Sequence, residues 1–241
     1  IVLAIVAIVT WKIREMKRLV VLGGGESGIG TALLAKANGY EVFVSDKCGI
    51  KDKYKEVLIH NEIEWEDQQH TEAKILNADV VMKSPGIPDK VPMVKALIEK
   101  GIPVISEIEF ASQFTNATLI GITGTNGKTT TTNLTNHLLQ KAGFKSKAAG
   151  NIGNSFAREV ATDNGNIDYY VLEISSFQLD DIDNLKLHLS VLLNITPDHL
   201  DRYEGLEGYI RAKLKITNKQ DSTDKFIYNH DDPIISEYIE K

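Results

Sequence analysis

The residues best able to do chemistry stand in Gly121-Ile-Thr-Gly124-Thr125-Asn126-Gly127-Lys128-Thr129-Thr130. An apolar run enters a glycine-rich turn there, and a helical pattern opens at Lys-Thr. Backbone N–H groups in such a turn face an anion, and the helix N-terminus adds partial positive charge. In this arrangement Lys128 reaches the β- and γ-phosphates of a nucleotide, and the Thr129 hydroxyl binds Mg²⁺. The stretch departs from G-x-x-x-x-G-K-[ST], because Ile122 holds the first glycine position and Gly124 lies inside the loop. A ligand-free turn has no need of Gly-Lys-Thr-Thr at a strand-to-helix junction, so the stretch reads as a nucleotide site.

An earlier glycine loop, Gly23-Gly24-Gly25-Glu26-Ser27-Gly28, satisfies G-x-G-x-x-G, and Asp46 ends the following strand pattern. That is a dinucleotide fingerprint with a carboxylate for a ribose hydroxyl. Read alone it leaves three options open: NAD, another nucleotide diphosphate, or a tight βα turn with no ligand. Ser84-Pro85-Gly86-Ile87-Pro88 follows another strand and falls on the same carboxyl-terminal sheet edge, where open α/β folds bind ligands. Glu173 closes a buried run; beside a phosphate loop it completes an oxygen site for Mg²⁺, whereas in solvent it is inert. His199, next to Asp198, suits catalysis and structure equally. Lys213 reads as a solvated helical charge, and His60, His70, His137, His188 and His230 as surface or structural histidines.

These groups need a scaffold, and the pattern supplies one. Residues 19–22, 41–45, 80–83 and 104–106 read as strands; 29–38 and 92–100 read as helices closing at Gly39 and Gly101. A second round places strands at 117–123, 169–173, 187–193 and 226–229, helices at 128–142 and 205–219, and a helix start at Asp231. Strands alternating with helices predict an α/β protein with parallel sheets. We expect two domains, 16–114 and 115–241, joined near 114–116.

Composition narrows the function. Net charge −6 argues against a nucleic-acid binder, which is ordinarily basic. Cys48 is the single cysteine, so internal disulfides and cysteine metal clusters are excluded. Residues 1–9 are apolar without interruption, too short to span a membrane alone, and Trp11, Lys12 and Arg14 follow. This leader reads as the end of a membrane helix that is not part of the fold.

From Met16 onward the chain resembles the Mur ligases. The resemblance rests on Thr123-Gly-Thr-Asn-Gly-Lys-Thr129, Gly150-Asn-Ile-Gly153, Leu172-Glu-Ile-Ser-Ser-Phe-Gln-Leu179, Asn194-Ile-Thr-Pro-Asp-His-Leu-Asp-Arg202 and Ala212-Lys-Leu214, in one order. Ile122 fits the form of this family's loop. The first domain is similar to that of the members that add D-glutamate, and Asn126 stands where the alanine-adding members usually carry His. The resemblance implies a Rossmann-like UDP-binding domain, then a P-loop-type central ATPase domain that is truncated here. It also implies a third domain that the chain does not reach, and so little or no turnover by this chain alone.

The implied reaction is ATP-dependent amide ligation in peptidoglycan precursor synthesis, in the cytoplasm. The carboxylate of UDP-N-acetylmuramoyl-L-alanine takes the γ-phosphate to give an acyl phosphate, and the amine of D-glutamate displaces phosphate. Carried over by position, Gly124, Thr125, Asn126, Gly127, Lys128, Thr129 and Thr130 hold ATP. Thr129, Glu173, His199 and Lys213 serve two Mg²⁺ ions, Lys213 as the lysine that is carbamylated in this family. Asn151, Ser175 and Gln178 line the substrate path, and Glu26, Ser27, Asp46, Lys47 and Gly86 hold uridine diphosphate. Residues 1–14 are similar to the last helix of phospho-MurNAc-pentapeptide transferase, a membrane enzyme fused or adjacent in that reading. The competing readings are an NAD-dependent oxidoreductase, built on the first glycine loop, and a non-catalytic nucleotide-binding module.

Overall fold

The first sheet is parallel throughout, with β1 (Arg18–Leu22), β2 (Glu41–Asp46), β3 (Glu64–Asp67), β4 (Val80–Lys83) and β5 (Val104–Ile105) in the order β3-β2-β1-β4-β5. The structure is a computed structural model, and it describes residues 16–200, 202–203 and 205–239. The apolar leader, with its membrane-helix and transferase readings, lies outside the described residues. Leu19, Val20, Val21 and Leu22 are all buried, because helices cover both faces of β1; a run without alternation is the mark of such a strand. Helix α1 (Glu26–Ala37) carries the chain from β1 to β2, followed by α2 (Asp52–His60), α3 (Glu72–Ile75) and α4 (Pro92–Glu99). Strand order reverses between β1 and β4, where Leu22 pairs with Lys83. The Gly23–Gly25 and Ser84–Pro88 turns therefore open side by side.

After α5 (Glu107–Ser112) a second parallel sheet is built from β6 (Thr118–Thr123), β7 (Ser146–Gly150), β8 (Tyr169–Glu173), β9 (Leu189–Leu192) and β10 (Lys225–Tyr228), in the order β10-β9-β6-β8-β7. Central β6 leads into helix α6 (Lys128–Lys141). Ile122 pairs with Glu173 and Thr123 with Leu192, so the ends of β8 and β9 flank the turn between β6 and α6. The remaining helices are α7 (Phe156–Ala161), α8 (Ser176–Asp180), α9 (Gly205–Leu214) and α10 (Pro233–Ile239). The expected 205–219 helix is shorter: α9 ends at Leu214 and tightens into a 3₁₀ turn over Lys215–Thr217.

The two sheets share one hydrophobic core. Ile29 and Ala32 of α1 belong to the same buried cluster as Phe156 and Ala157 of α7 and Tyr170 of β8. Polar contacts reinforce it. Arg158 Nε donates to Glu26 at 2.7 Å, and the buried Glu107 carboxylate accepts from Ser155 Oγ at 2.6 Å and the Ala157 N–H at 3.0 Å. Burial pushes Glu107 above the usual carboxylate range. Lys83, buried at the end of β4, reaches Asp181 at 2.9 Å across the same junction.

Gly30 sits where α1 meets α7. A Cβ there would lie 1.9 Å from Ser155 Oγ and 2.9 Å from the Arg158 nitrogen. Gly→Ala inside a free helix stabilises by about 1 kcal/mol. Gly30→Ala is instead expected to destabilise the chain by about 1–3 kcal/mol through overpacking. Urea unfolding checks this, and a rise in the midpoint would contradict the close crossing.

Candidate active site

The turn between β6 and α6 is a phosphate loop by geometry as well as sequence. Gly127 stands at the N-cap with φ +83°, and no side chain caps the helix, so its first-turn N–H groups remain for an anion. Lys128 Nζ lies over the loop, donating to Gly124 O at 3.0 Å and Thr125 O at 2.9 Å. Thr129 Oγ1 donates to Glu173 Oε2 at 2.5 Å, and Asn151 Nδ2 donates to Glu173 Oε1 at 2.9 Å. Glu173 is buried at 2% exposure, which removes the solvent-edge reading. Gly150 makes this approach possible: its φ is +98°, and a Cβ would meet Glu173 O at 2.3 Å.

Lys213 is corrected by the structure. Its helical position suggested a solvated charge, yet it is 1% exposed, with Nζ donating to Gly124 O at 2.8 Å and lying 4.5 Å from the Tyr209 ring centre. Burial, and then the Lys128 charge, lower its pKa to about 7. Thr129 and Glu173 form an oxygen pair suited to Mg²⁺, which uses one or two carboxylates and keeps water or phosphate in its other positions. Among the described residues, no group of three His, Cys, Asp or Glu side chains converges as a metal cage.

His199 follows β9 with φ +52°, uncommon for a non-glycine residue, and its N–H is held by Asp198 Oδ1 at 2.9 Å. Its ring packs 4.9 Å from that of Phe177. A cavity of about 350 Å³ gathers Gly86 from the first sheet with Lys128, Asn151, Ser175, His199 and Lys213 from the second. Gln178 serves differently. Its Oε1 accepts the Ser175 N–H at 3.0 Å, closing a capping box on α8 whose Ser-x-x-Gln signature was readable in the sequence.

A second cavity, of about 720 Å³, opens at the β1–β4 strand reversal and is lined by Asp46, Lys47, Ser84 and Gly86 among others. Asp46 organises its wall, accepting the Gly24 N–H at 2.7 Å and the Cys48 N–H at 2.8 Å. Glu26 is engaged by Arg158, and neither Glu26 nor Ser27 lines this cavity. Glu26 therefore ties the sheets together, while Asp46, Lys47 and Gly86 line the cavity. His70 lines it too, although the sequence had marked it as surface or structural.

Two further residues were missed as site residues. The Asn194 side chain accepts the Asn126 N–H at 2.8 Å and donates to Asn126 O at 3.0 Å, clamping the loop tip. The Tyr209 hydroxyl meets Thr125 Oγ1 at 3.3 Å. Asn194→Ala is expected to weaken ATP binding by roughly fivefold, about the net value of one hydrogen bond, with little change in unfolding midpoint. Titration calorimetry beside a urea curve checks it; unchanged affinity would make the clamp irrelevant to the nucleotide.

The fold and these sites define an α/β protein with two nucleotide-scale sites held at one junction. Residues 122–241 match the Mur ligase middle domain and residues 18–93 the MurD N-terminal domain. The chain belongs to the Mur ligase family. It is 62% identical over 226 residues to a UDP-N-acetylmuramoylalanine–D-glutamate ligase of Christiangramia forsetii, covering 93% of this chain and 50% of that protein. Against the enzyme of that name in Bacteroides fragilis it is 55% identical over 227 residues, covering 94% and 51%. The chain thus spans about half the length of the curated relatives it matches.

Among solved structures, a UDP-N-acetylmuramate:L-alanyl-γ-D-glutamyl-meso-diaminopimelate ligase from Neisseria meningitides aligns with TM-score 0.65 at 21% identity, over 94% of this chain and 75% of that one. A murein peptide ligase from Psychrobacter arcticus aligns with TM-score 0.60 at 20% identity, over 93% and 51%. Both show the same fold. The comparisons do not favour the oxidoreductase and give no support to the transferase resemblance of the leader. No helix among the described residues is long and apolar enough to cross a membrane.

Proposed function

We propose that this chain supplies the UDP-binding and ATP-binding parts of a ligase that joins D-glutamate to UDP-N-acetylmuramoyl-L-alanine, a cytoplasmic step of peptidoglycan precursor synthesis. The observation that carries the reading is the cavity shared by Gly86, Lys128, Asn151, Ser175, His199 and Lys213. It gives one space in which a group anchored at the first sheet can meet a nucleotide anchored at the second. In this reading residues 16–114 hold the uridine diphosphate and residues 115–241 hold ATP.

A carboxylate is a poor acyl donor, and phosphorylation gives it a leaving group. The protein's part is then positioning and charge neutralisation. Lys128 and the N–H groups of α6 hold the β- and γ-phosphates, and Asn151 and Ser175 orient the substrate carboxylate. Thr129 and Glu173 would hold one Mg²⁺, and His199 with Lys213 a second. Bound there, the ions would neutralise charge as phosphate passes between oxygens. Lys213 is the candidate for carbamylation: a neutral amine attacks CO₂, gives up a proton, and becomes an anionic oxygen ligand. Its burial and lowered pKa favour the neutral amine that this reaction requires.

Isothermal titration of the chain with UDP-N-acetylmuramoyl-L-alanine, Mg²⁺·ATP and NAD tests the reading. The expected result is one site each for the first two and no NAD binding at comparable concentration. Competition of NAD with the uridine nucleotide at equal or lower concentration would reverse the assignment of the first cavity.

A further inference from the structure

His70 carries chemistry that the reading above leaves unused. It follows β3 in the first sheet and lines the 720 Å³ cavity beside Asp46, Lys47 and Gly86. Its Nδ1 lies 2.7 Å from Ser45 Oγ. Ser45 is fully buried, and its Oγ also lies 2.7 Å from Glu66 Oε1. Burial pushes Glu66 upward, but hydrogen bonds from Thr71 and Ser45 and the Lys74 charge outweigh it and hold the carboxylate below its ordinary range. An ionised carboxylate only accepts, so the single hydroxyl proton of Ser45 goes to Glu66. Ser45 Oγ must then accept from His70, which places the ring proton on Nδ1. Neutral His70 therefore presents Nε2 as a bare acceptor. Burial keeps the ring neutral by lowering its pKa; the Lys47 charge acts in the same direction, and Glu66 and Asp46 oppose it.

We propose that His70 is a specificity-determining residue of this cavity, accepting at Nε2 a hydrogen bond from a donor of the bound nucleoside, either the imide N–H of uracil or a ribose hydroxyl. The proposal rests on the first cavity being the uridine nucleotide site. The buried Ser45–Glu66 pair acts as a tautomer lock: it selects a ligand that offers a donor and disfavours one that places a lone pair at the same point. The unaided sequence hides this, because Ser45, Glu66 and His70 sit on a strand end, an edge strand and a loop.

The test compares UDP, 3-methyluridine diphosphate, 2′-deoxy-UDP and 3′-deoxy-UDP by calorimetry on the 241-residue chain, native and with His70→Ala. The alanine variant is expected to bind UDP about fivefold more weakly, the scale of one neutral hydrogen bond. That loss should vanish for the one analogue lacking the donor: 3-methyl if the base supplies it, a deoxy analogue if the ribose does. His70→Gln, whose amide oxygen can accept, is expected to recover part of the affinity and serves if His70→Ala does not fold. Native-like UDP affinity in His70→Ala overturns the proposal. So does an equal loss on all four nucleotides, which is what a merely structural histidine would give. Failure of the native chain to bind UDP overturns both this proposal and the reading beneath it.

Discussion

Lys128→Ala is expected to weaken Mg²⁺·ATP binding to this chain by one to two orders of magnitude, about 1.5–3 kcal/mol for a charge-assisted contact. The Nζ rests between two loop carbonyls, at 3.0 and 2.9 Å, on the first residue of α6, and the side chain lines the shared cavity. A phosphate oxygen entering there meets a cation already in place, without the entropy cost of ordering a free surface lysine. Stability should hardly move, since the side chain is half-buried and bonds only within its own loop. Arginine is not expected to substitute, because its rigid fork does not fit a point-charge position. Calorimetry with Mg²⁺·ATP and Mg²⁺·ADP checks this. Affinity within twofold of the native chain would remove Lys128 from the phosphate site.

Lys213→Met is expected to raise stability near neutral pH and to flatten its pH dependence. The folded pKa of Lys213 is about 7, against an ordinary lysine value of 10.5. Between those values the unfolded chain binds more protons, so stability rises with pH through the window from about 7 to about 10.5. Below about 7 the amine is charged in both states, and the cost of burying it is fully present. Removing the amine removes that cost, on the order of a few kcal/mol. The difference between native and variant should therefore be largest at pH 6.5–7 and shrink toward pH 10. Urea midpoints across that range measure it, in buffers freed of CO₂ so that a carbamate does not mask the effect. Equal pH slopes would show that the amine is not buried as described. In the proposed reading, so costly a group over the phosphate loop is the stability side of a trade with function.

The central strands and the phosphate loop were legible because their signals are local. β1 carries the unbroken apolar run 19–22 and β6 the run 119–122, and Gly-Lys-Thr marks its own turn. The edge strands β3 (Glu-Trp-Glu-Asp) and β7 (Ser-Lys-Ala-Ala-Gly) were not, since each has one unpaired side and little apolar content. Their place is set by pairing with β2 and β8 rather than by their own preference. Site residues divide the same way. Thr129 and Glu173 could be paired from sequence because strand ends converge in a parallel sheet. The resemblance put Glu26 and Ser27 among the uridine-diphosphate residues, yet the Glu26 side chain turns to Arg158 of α7, a contact between distant segments. Lys213 and His70 show the same limit: burial and tautomer depend on neighbours far away in sequence.

The close crossing at Gly30, with the Glu26–Arg158 and Glu107–Ser155 contacts, makes the two sheets a caliper. One jaw is the cavity at the β1–β4 reversal and the other is the phosphate loop, and a shared core holds the gap between them. A molecule gripped by its nucleotide end at the first jaw presents its far end at a set reach. Length itself then becomes a criterion of selection. If the first cavity holds the uridine nucleotide as proposed, a substrate one amino acid shorter or longer is expected to bind with similar affinity, yet to bring its carboxylate to the wrong place.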